Sequence, residues 1–121
     1  MAELITSDSK FTEHQQQVLR FIANMMIPAT ESLPAATDAV IFPGILERFA
    51  EDMETAEKIV ELIFAAAHQQ FDKPFDLLDE SDGEVVINNF RTKQPELVRF
   101  IQVCVASCYY KDARVMASFG V

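Results

Sequence analysis

The chain has 121 residues, enough for one domain and few for two; a domain of this size buries about two-thirds of its unfolded surface and needs no disulfide or metal to hold it together. Half of the residues are hydrophobic and 24% are charged, which is globular rather than disordered composition, and only 3 glycines argue for helices over a turn-rich sheet protein. The formal net charge of −9 repels phosphate backbones and anionic membrane surfaces, so nucleic acid and lipid are excluded as expected partners while a basic protein patch is not.

Residues 1–10 are polar and are expected to form a flexible N-terminus, with a single helical domain over 11–121. MAELITSDSKF has no basic start, no apolar run of signal-peptide length and no twin-arginine motif, which gives a cytoplasmic expectation. Thr12-Glu13-His14-Gln15 is a capping-box pattern. It opens a helix to about Met26, with Val18, Leu19, Ile22, Met25 and Met26 on the apolar face and Pro28 ending it. Residues 28–38, PATESLPAATD, have loop composition. A short helix to about Ala50 follows, with Val40, Ile41 and Phe42 as an apolar lead-in, Pro43 in the first turn, and Ile45, Leu46 and Phe49 facing the core.

A third helix is expected over about Thr55 to Phe71, with Ile59, Val60, Leu62, Ile63, Phe64 and Ala65 to Ala67 as its packed side and Lys73-Pro74 as its stop. Phe75, Leu77 and Leu78 are expected to tuck one loop or helical turn onto the core. Ser81-Asp82-Gly83-Glu84 reads as a second capping box opening a helix to about Thr92. From Leu97 to Tyr110 only Arg99, Gln102 and Ser107 interrupt an apolar run. On a wheel of about 3.6 residues per turn the polar stripe is narrow, so this segment is expected to be buried on most of its surface, at the centre of the fold. It is too short to cross a bilayer, which takes about 20 apolar residues. Asp112 is the expected cap of a last short helix and Gly120 its stop. The expected fold is all-α, a compact bundle of about five or six helices around that buried C-terminal helix.

Chemistry-bearing residues are few. His14 and His68 have no second metal ligand at i+3 or i+4. Cys104 and Cys108 share a helix face without disulfide geometry, and a buried apolar setting raises a thiol's pKa, so core packing is favoured over metal or redox work. The carboxylates Asp76, Asp79, Glu80, Asp82 and Glu84 fail a calcium-loop pattern, because Ser81, Gly83 and Phe90 fall where ligands are needed. No phosphate loop, nucleophile elbow or His-Glu metal motif occurs, so a non-enzymatic role is expected, with no cofactor in this chain. The Tyr109-Tyr110 pair reads equally as core plus turn anchor or as an interface hot spot.

Two short patterns, in this order and at this separation, resemble the subunit 3 (small subunit) family of gluconate 2-dehydrogenase. One is Met26 to Thr30, a proline-containing loop, and then Ile45 to Phe49. The other is Tyr109-Tyr110, then Ala113-Arg114-Val115 and Phe119-Gly120. Where the family has Pro-Gly-Ala, this loop has Leu33-Pro34-Ala35-Ala36. The resemblance implies a small helical accessory subunit whose partner is a flavin-dependent dehydrogenase of the glucose-methanol-choline type, the partner holding FAD. Candidate interface residues are Pro28, Pro34, Phe42, Tyr109, Tyr110, Arg114 and Phe119. The alternative is a stand-alone helical protein that self-associates, with Phe42, Phe71, Phe75 and Phe119 as a homodimer patch.

Overall fold

A computed structural model describes residues 10–119. The start at 1–9 and Gly120, the expected helix stop, lie outside the described residues. The fold is all-α: α1 (Glu13–Met26), α2 (Phe42–Ala50), α3 (Met53–Phe71), a 3-10 turn (Phe75–Leu77), α4 (Glu80–Lys93), α5 (Pro95–Tyr109) and α6 (Ala113–Ser118). One apolar core joins all six helices. Within it α3 packs on α1, α2, α4 and the 3-10 turn, while α5 packs chiefly on α2 and also on α4. Among the described residues no helix is long and apolar enough to cross a membrane.

Local chemistry fixes most of the helix ends. At α1, Thr12 Oγ1 accepts from the Gln15 N–H (3.2 Å) and Gln15 Oε1 accepts from the Thr12 N–H (2.9 Å), so two orphan donors satisfy each other through the reciprocal box. At α3, Asp52 accepts from both the N–H and the hydroxyl of Thr55, which starts the helix two residues before the expected Thr55. Asp72 closes α3 in the left-handed region (φ 56°), with its N–H returned to the His68 carbonyl, before Pro74 leads into the 3-10 turn. Gln94 serves both helices at the α4–α5 junction. Its N–H donates to the Phe90 carbonyl and its own carbonyl accepts from Val98, so one residue turns the chain.

The expected cap Ser81 is not the one used. α4 begins at Glu80 with Asp79 as its cap, and Asp79 Oδ1 accepts from the Asp82 N–H at 2.8 Å. Either side chain could serve locally. Gly83, in the first turn of α4, lies against the tip of the Phe21 ring of α1. A Cβ added at Gly83 would lie 2.8 Å from Phe21 Cζ. Phe21 in turn meets Phe75 edge-on (5.2 Å), so the glycine is what lets α4, α1 and the 3-10 turn close up.

Several side chains lie elsewhere than the pattern suggested. Val40 and Leu77 are exposed, as is Ala65; only Phe75 of the tucked turn is fully buried, with Leu78 packed partly against the core. On α5 the buried face is Val98, Ile101, Cys104, Val105 and Tyr109. Val103 is 51% exposed, and Arg99 and Gln102 are exposed too, so the central helix buries one face rather than most of its surface.

Two stability measurements follow. In urea denaturation Asp79→Ala is expected to cost about 1 kcal/mol, as a lost N-cap does, and Ser81→Ala to stay within about 0.5 kcal/mol; equal costs would restore Ser81 as the cap. Gly83→Ala is expected to be destabilising in the native chain, since overpacking by one methyl costs about 1–3 kcal/mol. In a Phe21→Ala background the same change is expected to stabilise, by up to about 1 kcal/mol, from helix propensity alone.

Candidate interaction surface

The seven candidate residues fall into two groups. Phe42 (1% exposed) and Tyr109 (2% exposed) are core residues, which corrects their assignment as contact anchors. Phe42 starts α2 and carries the Arg20 guanidinium over its ring at 4.5 Å. Phe75 is buried as well, so the four phenylalanines of the dimer alternative do not form one surface patch. Pro28, Tyr110, Arg114 and Phe119 are exposed and Pro34 is half-buried.

Long-range contacts bring Pro34 and Arg114 of the second group to the end of α5 and the loop before α2. The Tyr109 hydroxyl donates to the Pro34 carbonyl at 2.7 Å, across 75 residues of sequence. Burial pushes the phenol's pKa up, so the group stays a donor. Next to it, Arg114 grips two carboxylates with one guanidinium. Nη2 and Nη1 reach Asp38 Oδ1 and Oδ2 (3.0 and 3.3 Å), while Nε and Nη2 reach Asp112 Oδ1 and Oδ2 (both 3.1 Å). This fork geometry is what arginine provides and lysine does not. The Arg114 hydrogen bonds hold both carboxyls below the usual aspartate range, with the Val40 N–H adding to the effect at Asp38. The two carboxylates in turn hold Arg114 firmly charged.

Asp112 has a second task. Its Oδ1 accepts from the N–H groups of Arg114 and Val115, capping α6 as the sequence suggests. The loop 27–41 is thereby tied to the α5–α6 corner at two points, with Ala36 N–H returned to Ile27 and the Asp38 side chain turning the backbone at Val40. Above this corner Tyr110 (50% exposed) stands edge-on to Tyr109 and packs against Phe119 (61% exposed), their centroids 5.2 and 6.0 Å apart. Met116 of α6 is exposed too.

Other chemistry-bearing residues have structural duties. Cys104 is buried and Cys108 half-buried; desolvation pushes the Cys104 thiol up to about 11, against a smaller opposing pull from Arg48, so it is a poor nucleophile at neutral pH. Arg48 donates to Ser107 Oγ (3.2 Å), which stitches α2 to α5 beside the thiols. His14 Nδ1 lies 3.0 Å from Asp76 Oδ2, joining α1 to the 3-10 turn. Among the described residues no group of three or more His, Cys, Asp or Glu is arranged to hold a metal ion. Comparison with family models, with curated proteins and with solved structures finds no match.

The pairing of Asp38 with Arg114 carries no sequence signal, because the partners are 76 residues apart and each has a plausible local role. Its energetic signature is a pH dependence. Both carboxyls titrate lower folded than unfolded, so the stability they contribute is present above the ordinary aspartate value of about 4 and is lost as pH falls through the depressed folded values. Arg114→Gln is therefore expected to lower the urea midpoint at pH 7, and the gap to the native chain is expected to close below about pH 4. A gap that stays constant from pH 7 to pH 3 would show that the ion pairs contribute nothing to it.

Proposed function

We propose that the chain is a non-catalytic accessory subunit, docking on a flavin-dependent dehydrogenase of the glucose-methanol-choline type and steadying it, with FAD held by that partner. The observation that carries this reading is the meeting of the two motif-bearing regions. The segment after Met26 and the segment from Tyr109 to Phe119, which resemble the subunit 3 family in sequence, are joined by the Tyr109–Pro34 and Arg114–Asp38 contacts. Their junction carries an exposed aromatic and methionine surface, Tyr110, Met116 and Phe119. A loop spends an arginine and a buried tyrosine on its own placement, and beside it two rings and a thioether face solvent. Large aromatic side chains on a supported surface are the commonest anchors of protein interfaces.

The test uses the tagged full chain expressed in its native cells and recovered under native conditions. The expected result is a co-purifying dehydrogenase-sized protein with flavin absorbance, and its loss with Tyr110→Ala or Phe119→Ala, exposed positions whose truncation leaves the core intact. A colourless chain recovered alone, or a flavoprotein retained equally by both variants, would overturn the reading.

A further inference from the structure

A recess of about 260 Å³ opens beside Tyr110, between the end of α1 and the outer face of α5. Its walls are Met25, Met26 and Ile27 from α1, and Val105, Ala106 and Tyr110 along α5, with Gln102 and Arg91 at the rim. We propose that this recess receives one apolar side chain of the partner protein, presented next to a carboxylate that pairs with Arg91. The proposal rests on reading the adjoining surface as the partner interface, and it names the chemistry of what docks there.

Size selects a side chain. Clefts for whole small molecules run to about 300–1,000 Å³, so this one is too small for a flavin or nucleotide and suits an anchor residue. The lining selects an apolar one. Met25 and Met26 are half-buried and adaptable, Val105 forms a buried floor, and Tyr110 supplies an aromatic wall braced by Tyr109 and Phe119. Charge selects the carboxylate. Arg91 is the one charged residue lining the recess, and among the described residues it makes no ion pair. It stands on a chain whose formal net charge is −9, so carboxylates are repelled by most of the surface and favoured at this rim. The same net charge opposes a second copy of the chain as the occupant.

The test is an NMR titration of the isotopically labelled full chain with N-acetylphenylalanine, which combines an aromatic side chain and a carboxylate, and with its uncharged amide. The expected result is amide shifts confined to Met26, Gln102, Ala106 and Tyr110. Affinity for the acid should exceed that for the amide by roughly two- to fivefold, the worth of an exposed ion pair. Arg91→Gln is expected to erase that preference and Ala106→Leu to abolish binding, each with unchanged helical circular dichroism. No shifts at millimolar acid, shifts elsewhere, or equal affinity for acid and amide would each overturn the proposal, as would the same amides shifting on dilution of the free chain, which would mark a second copy in the recess. Failure of this titration leaves recovery of a flavoprotein untouched. Failure of that recovery leaves the titration to be read by itself.

Discussion

The 2.7 Å bond from the Tyr109 hydroxyl to the Pro34 carbonyl is the constraint on which the loop 27–41 and the α5–α6 corner depend. The loop 27–41 is long for a connection inside a compact domain and contains short polar residues that bury little area. Its ends are fixed by α1 and α2, but its middle needs an external hold. Tyr109 supplies one from the core side, because its ring is buried and its only polar atom must find an acceptor there. Once the loop is drawn against α5, Asp38 comes within reach of Arg114, and the second hold forms at the surface. The order matters energetically. The tyrosine bond is part-buried, whereas the arginine fork is exposed and works as a network rather than as an isolated pair.

What was legible in the sequence is what is decided within one helical turn. Thr12 with Gln15, Pro43 and Pro95 in first turns, and Asp112 as a cap act through neighbours three or four residues away, and each is found in place. Asp79 and Ser81 show where that locality ends. Both are good caps by residue type and only Asp79 is used, while the close approach of Gly83 to Phe21, 62 positions apart in sequence, has no local signal at all. The apolar run of α5 misled in the same way. Composition shows that a helix can be buried, but its exposure is set by how its neighbours surround it, and Val103 is half exposed.

The candidate surface was half legible for a related reason. Tyr110 and Phe119 announce themselves as large apolar residues near a helix end, and both are exposed. Phe42 and Tyr109 announce themselves equally and are buried. The sequence holds the identity of an aromatic residue but not the side of the helix its neighbours occupy. Met25 and Met26 read as ordinary apolar-face residues of their helix and Arg91 as an ordinary surface charge; they line one recess only where α1, α4 and α5 converge.

The position of α6 connects these points. A helix of six residues is far below the length at which isolated helices persist. It is held by one buried side chain, Val115, by the Asp112 cap, and by Arg114 reaching Asp38. Of those holds, the Arg114–Asp38 pair leads back to the loop. The surface that α6 presents, Met116 with the nearby Phe119 and Tyr110, is therefore no more stable than the strap beneath it. A partner that closes over these rings also shields the arginine fork from water and salt, and so strengthens the contact that placed the rings. By linkage, a partner that favoured the ordered corner would itself be bound more tightly by it, so the coupling would run both ways.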